Sequence, residues 1–246
     1  MSYIERVSGA VRAFWSELEQ QGVRQGAISG ERDRGNRSAS TGGKQMDGFI
    51  DLIRDILVEA DLVGSTIHTR QSTTLPGFFR PTKNWDIVVV VETELIAAIE
   101  LKSHPGPSFG NNFNNRVEEA IGSSTDVLTA FREGKFAVSS RPWLGWLMLL
   151  EQSSGSTKPV TAKESHFSVF PEFKNASYAR RYEIFCEKLI RERLYDGTCL
   201  ILSERESGRL GAYNEPNQAF GFAAFAASLK ARARVVAERR RKPGAK

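Results

Sequence analysis

Cysteine is nearly absent from this chain. Cys186 and Cys199 are the only two, too few for a disulfide framework. Cys186 fits the apolar face of a helix and Cys199 opens a short strand, so both read as reduced core residues. Histidine is also scarce, and His68, His104 and His166 have no mutual spacing that suits zinc. No apolar run approaches the roughly 20 residues of a membrane-spanning helix. The opening Met1-Ser2-Tyr3-Ile4-Glu5-Arg6 lacks a signal-peptide pattern. Gly42-Gly43-Lys44 lacks the rest of a nucleotide phosphate loop. These absences speak against a secreted disulfide scaffold, a helical membrane protein and a P-loop enzyme, and they predict a cytoplasmic protein.

What is present is basic charge. The chain has 34 basic and 29 acidic residues, a formal charge of +5 and a pI near 9.3. Arginine makes up 23 of the 34 basic residues, and its planar fork matches phosphates and the guanine edge. Such a balance permits a polyanionic partner without demonstrating one. With 246 residues and 40% apolar content, the chain can bury one sizeable core. The expectation is a single domain over 1–246.

Periodicity orders the elements. Ile4, Val7, Val11, Phe14 and Leu18 mark a helix over 2–21, with Gly22 as its stop. Residues 26–44 are rich in Gly, Ser and Arg, which reads as a basic loop or as an arm that orders on DNA. A second helix over 45–61 buries Phe49, Ile53, Ile56 and Leu57. Its Asp47, Asp51, Asp55 and Glu59 form an acidic ridge whose like charges repel mildly. A loop fills 64–84. Asp86-Ile-Val-Val-Val-Val91 and Leu95-Ile-Ala-Ala-Ile-Glu-Leu-Lys102 then read as a buried hairpin. A helix over 113–132 and a strand over 144–150 suggest a parallel crossover. A polar loop over 152–165, a helix over 177–194, a strand over 198–203 and a helix over 217–240 complete an α/β fold with a mixed central sheet flanked by helices.

The chemistry lies in the hairpin. Phosphodiester hydrolysis needs charge neutralisation at the scissile phosphate and a water activated beside it. Magnesium takes hard oxygen ligands and only one or two protein carboxylates. Glu100 and Lys102, two apart on a strand, share a face, and a turn at 92–94 returns Asp86 opposite them. The bare acid-x-Lys spacing is weak, since about one match is expected by chance at this composition. Glu133-Gly-Lys135 and Glu172-Phe-Lys174 also match, but both lie in polar surroundings without an acid-headed strand. The bland alternative for Glu100 and Lys102 is a structural ion pair.

Asn84-Trp85-Asp86 with Glu100-Leu101-Lys102 resembles the PD-(D/E)xK nuclease superfamily, with Trp85 in place of the proline. Thr41-Gly-Gly-Lys-Gln-Met-Asp-Gly-Phe49 and the stretch from Phe109 to Gly122 resemble the XhoI-type restriction endonucleases. The resemblance implies a restriction-endonuclease-like fold and a homodimer cutting the palindrome CTCGAG with Mg²⁺, leaving 5′-phosphates and 5′ overhangs. It also implies a companion DNA methyltransferase that forms no stable complex with it. By residue-wise carry-over, Asp86, Glu100 and the Leu101 position bind metal, and Lys102 orients or deprotonates the attacking water. Asp47 is the preferred additional acid from a preceding helix, ahead of Asp51.

Other residues point to DNA more loosely. Lys44, Arg80, Asn111, Asn112, Asn114 and Arg116 are candidate DNA contacts, since asparagine can grip adenine and arginine guanine. Asparagine clusters are also ordinary capping and turn chemistry. His104 can touch a phosphate or serve as a plain loop residue. The basic run from Lys230 to Lys242 reads as a solvated helix end or as a strip along DNA. Phe220 to Phe225 reads as core or dimer interface. Two further readings remain: a structure-specific repair or resolution nuclease, and a non-catalytic DNA-binding protein.

Overall fold

The computed structural model describes residues 2–29, 44–136 and 139–241. Its centre is a five-stranded sheet built from β1 (Ile67–Thr69), β4 (Ile87–Val91), β5 (Glu94–His104), β6 (Trp143–Glu151) and β7 (Gly197–Ser203), in that spatial order. β1, β4 and β5 pair antiparallel, whereas β5, β6 and β7 pair parallel. The mixed sheet follows from the connections. Glu92 and Thr93 turn the β4–β5 hairpin, while helices carry the chain between the parallel strands. A separate two-stranded ribbon joins β2 (Thr74–Pro76) to β3 (Thr82–Asn84).

Helices cover both faces. On one side lie α1 (Tyr3–Ser29), α2 (Asp47–Glu59) and α7 (Phe222–Arg241); on the other lie α3 (Phe109–Arg132) and α5 (Tyr178–Arg191). Two single-turn helices, α4 (Ser154–Thr157) and α6 (Arg205–Gly208), sit in the connections. The alternation of β5 separates two cores. Ala97, Ile99 and Leu101 pack with the α1, α2 and α7 layer, and Ala98 packs with the α3 and α5 layer. Trp15, Phe14, Phe49, Phe222 and Phe225 dominate the first core; Trp146, Tyr182 and Tyr195 dominate the second.

Several expectations change. α1 does not stop at Gly22 but runs to Ser29. One glycine in a helix costs only about 1 kcal/mol, and a Cβ there would meet nothing within 4 Å. Residues 30–43, the bulk of the basic loop and part of the segment with family resemblance, lie outside the described residues. The 64–84 stretch is not a plain loop, because β1, β2 and β3 lie within it. α3 begins at Phe109, so the asparagines sit inside the helix rather than leading into it. Cys186 and Cys199 are free and buried, as anticipated.

The acidic ridge of α2 acquires basic partners. Arg70 lies 3.1 Å from Asp47 and 3.8 Å from Asp51. Arg6 lies 3.7 Å from Asp55 and 2.7 Å from Glu59, and Lys230 lies 2.8 Å from Glu59. Like-charge repulsion along the helix is thereby offset by tertiary pairing. Among the described residues, no helix is long and apolar enough to cross a membrane.

Candidate active site

The β4–β5 register places Ile87 across from Ile99, and the Asp86 N–H donates to the Ile99 carbonyl at 3.1 Å. Asp86 therefore stands at the mouth of β4, beside Glu100. Its Oδ2 accepts the Leu101 N–H at 2.6 Å. Ahead of Asp86 no β4 residue faces β5, so the side chain of Asp86 replaces one rung of the ladder. Ile99 directs its backbone groups toward β4, and Leu101, two residues on, does the same. The Leu101 carbonyl consequently faces the gap just ahead of the start of β4.

Glu100 and Lys102 share a face of β5, as their spacing requires. Lys102 Nζ is 2.5 Å from Glu100 Oε1. A second lysine enters from the ribbon: Lys83 on β3 places Nζ 2.7 Å from Glu100 Oε2. Its ammonium also donates to the Asn84 carbonyl at 3.0 Å and lies 5.0 Å from the centre of the Trp85 ring. Glu119 on α3 lies 3.8 Å from Lys102 and 2.6 Å from Arg116. The charges thus alternate along Lys83, Glu100, Lys102, Glu119 and Arg116. Glu100 is only 4% exposed, a depth at which an unpaired carboxylate is costly.

This environment acts on the titrating groups. Burial pushes the Asp86 carboxyl up to about 6, aided by the neighbouring Glu100 carboxylate. The Leu101 N–H and the Lys102 and Lys83 ammoniums oppose that rise. Burial alone would depress Lys102, but the Glu100 carboxylate, its hydrogen bond, Asp86 and Glu119 outweigh it, and the ammonium is held above the ordinary lysine range. Lys102 is a charged donor here rather than a free base.

The donor set suits a hard cation. Asp86, Glu100 and the Leu101 carbonyl offer oxygen only, and one or two carboxylates are what Mg²⁺ requires of a protein. Among the described residues, no cluster of three or more His, Cys, Asp or Glu side chains forms a closed metal cage. Such a donor set fits a cation that keeps several of its own waters.

The remaining candidates are spread more widely. Asp47 opens α2 and pairs with Arg70; the described residues show no contact between it and Asp86 or Glu100. The short turn before it, Lys44–Met46, packs against β5, and Lys44 itself is exposed. Arg80 is committed to Asp126 on α3, with Nε 2.8 Å from Oδ2. Asn111 and Asn114 are exposed on α3, and Asn112 is half-buried. Arg116 joins the Lys83–Glu100–Lys102 cluster through Glu119. His104 is buried, 2.8 Å from the Tyr182 hydroxyl and 3.3 Å from the Ser108 carbonyl. Burial pushes its pKa down to about 4, against the Ser108 contact. It ends β5 as a core residue and not as a phosphate contact.

Lys83 and Glu119 escape a reading of the sequence. The only linear signal for Lys83 is its position three residues before Asp86; Glu119 carries none. Three arginines of the C-terminal basic run have acidic neighbours. Arg240 is 4.0 Å from Glu92, Arg241 is 3.3 Å from Asp61 and Arg232 is 4.0 Å from Glu94. Glu92 and Glu94 form the turn end of the β4–β5 hairpin, roughly 20 Å along β5 from Glu100 at ~3.3 Å per residue.

Comparison with known proteins places the chain in a family. The profile of restriction endonuclease XhoI matches residues 25–215. The type II restriction enzyme BstVI of Geobacillus stearothermophilus is 55% identical over 190 residues, covering 75% of this chain and 85% of that one. The type II restriction enzyme XhoI of Xanthomonas vasicola is 48% identical over 185 residues, covering 73% and 72%. The type II restriction enzyme AbrI of Azospirillum brasilense is 46% identical over 166 residues, covering 67% and 74%. No solved structure matches the chain significantly. A mixed sheet that gathers Asp86, Glu100 and Lys102 at one strand end, in a chain so close to these enzymes, belongs to the XhoI family of type II restriction endonucleases.

Proposed function

We propose that the chain hydrolyses both strands of DNA at a palindromic site with Mg²⁺ as cofactor, using Asp86, Glu100 and Lys102. The observation that carries this reading is the convergence of these three side chains around Leu101. The cognate site is CTCGAG, cleaved to leave 5′-phosphates and 5′ overhangs, in keeping with the resemblance to XhoI-type enzymes. The whole chain acts as one endonuclease domain in a prokaryotic cytoplasm. Two copies form a dimer whose two-fold axis matches that of the palindrome. A cognate methyltransferase protects host DNA without a stable complex.

The Asp86 and Glu100 carboxylates, with the Leu101 carbonyl, would hold the metal, which when bound would supply charge neutralisation at the scissile phosphate and a more acidic water. Lys102 orients the attacking water and stabilises the negative charge of the transition state. Asp47 serves as an outer acid, which requires its release from Arg70. Lys44, Arg80, Asn111, Asn112, Asn114 and Arg116 contact the duplex. Asn111 and Asn114 are the best placed for bases, because they are exposed on a helix.

The direct test is digestion of phage lambda DNA with and without Mg²⁺, followed by sequencing of the fragment ends. Discrete fragments ending at CTCGAG, seen only with the metal, are expected. Metal-dependent smearing, or cuts confined to branched structures, would remove the site specificity. Tight binding without any cutting would reduce Glu100 and Lys102 to a structural ion pair.

A further inference from the structure

A cation that binds Glu100 must compete with two lysines. Both of its oxygens are occupied, Oε1 by Lys102 at 2.5 Å and Oε2 by Lys83 at 2.7 Å. Lys102 is on the same strand and has a second acid within reach, Glu119 at 3.8 Å. Lys83 is attached differently. It comes from the β2–β3 ribbon, outside the main sheet. Among the described residues, Glu100 is the only acid within ion-pairing distance of it. The Lys83 side chain is only 15% exposed, so water replaces a lost carboxylate poorly.

We propose that Lys83 is a positioning residue that serves as a built-in counter-ion. It holds the Glu100 carboxylate in the metal-free enzyme, yields it to the divalent cation, and then pairs with the DNA phosphate that arrives with that cation. This inference rests on the metal-dependent reading of the site. Charge counting gives its logic. Asp86 and Glu100 balance Lys83 and Lys102, so the resting site is neutral when all four are ionised. Entry of a divalent cation alone leaves an excess of two positive charges within a half-buried space. A phosphodiester contributes one negative charge and meets the freed Lys83 ammonium. Cation and DNA therefore favour each other's binding, and the coupling is reciprocal. With Lys83 removed, the resting site is one unit more negative, and cation binding loses much of its dependence on DNA.

The experiment is calorimetric titration of the full-length protein with Mn²⁺, with and without an uncleavable phosphorothioate duplex bearing the cognate site. Wild type, Lys83→Met, Lys83→Gln, Lys83→Arg and Glu100→Gln are compared, each first checked for a cooperative thermal transition. Lys83→Met and Lys83→Gln should bind Mn²⁺ about tenfold more tightly without DNA. Bound duplex should strengthen Mn²⁺ binding several-fold more in wild type than in either variant, and Lys83→Arg should behave like wild type. Equal Mn²⁺ affinity in wild type and both neutral variants, with binding abolished in Glu100→Gln, would overturn the role of Lys83 alone. Absence of Mn²⁺ binding in wild type, or full retention in Glu100→Gln, would overturn the metal site itself and the inference with it.

Discussion

Asp86 Oδ2 accepts the Leu101 N–H at 2.6 Å, so the acid that heads one strand is tied to the residue between Glu100 and Lys102. A side chain here takes the place of a backbone rung. The tie fixes the relative position of the two carboxylates and turns the Leu101 carbonyl toward the same gap. Under the proposed function, oxygen ligands held in place this way would spare the site a reorganisation cost on metal binding.

The first prediction concerns chemistry. Glu100→Gln and Lys102→Ala should each lower the single-turnover cleavage rate by about a hundredfold or more. Both proteins should stay folded and bind duplex DNA in Ca²⁺. Gel-resolved cleavage of a cognate duplex at saturating enzyme measures the rate, and thermal melting checks the fold. Substantial cutting by both variants would sink the site assignment.

The second concerns pH. Burial, aided by the Glu100 charge, raises the Asp86 pKa to about 6 in the folded protein, above its unfolded value near ~4. A raised value means that the neutral form is favoured by folding. Its stabilising contribution is full below about pH 4 and is lost as pH rises through about 6. At neutral pH the ionised Asp86 therefore costs the metal-free protein up to about 3 kcal/mol. Asp86→Asn should melt higher than wild type in EDTA at pH 7.5, and the gap should close toward pH 4. Mg²⁺ should raise the melting temperature of wild type but not that of the variant. A gap that is the same at both pH values would contradict the assigned environment.

The third concerns the ribbon that delivers Lys83. Asp126 on α3 is buried, and its Oδ1 accepts the Phe78 and Phe79 N–H groups at 2.7 and 2.8 Å while Oδ2 holds Arg80. A Cβ on Gly77 would collide with that carboxylate and with the Arg80 carbonyl, so glycine is required there. Asp126→Ala should destabilise the protein by about 2–3 kcal/mol in urea unfolding. Burial raises the Asp126 pKa, but the two N–H groups and Arg80 outweigh it and hold the carboxyl below its ordinary range. For a depressed acid, stability is present above the unfolded pKa and is lost as pH falls through the folded one. The cost of the substitution should accordingly shrink in strongly acidic solution. A pH-independent cost would indicate poorer packing instead.

Legibility follows length and locality. β4, β5, β6 and β7 are readable because each contains an apolar run of four or more residues, and the β4–β5 turn brings Asp86 back beside Glu100. The strands β1, β2 and β3 are not, because three residues carry no measurable period and Pro76 argues against pairing. Lys83 and Glu119 are invisible for another reason. They meet Glu100 and Lys102 only through the placement of a ribbon and of α3, and no linear spacing encodes that approach. The acidic ridge of α2 shows the opposite error. Its repulsion is visible in sequence, but Arg6, Arg70 and Lys230 arrive from distant segments.

The last prediction concerns the basic C-terminal helix. Arg240 and Arg241 lie near Glu92 and Asp61, and Glu92 sits at the turn end of the hairpin, away from Glu100. Exposed ion pairs of this sort contribute little to stability, at most about 1 kcal/mol each. If these arginines gripped phosphates, removing each one would flatten the slope of log affinity against log salt by roughly 1. The triple variant Arg239→Ala, Arg240→Ala, Arg241→Ala should instead leave that slope unchanged, measured by fluorescence anisotropy on a cognate duplex in Ca²⁺. A slope reduced by two or three would place α7 on the DNA. The binding face would then extend past the turn at Glu92, a surface whose acids would have to be neutralised by the same arginines that hold the duplex.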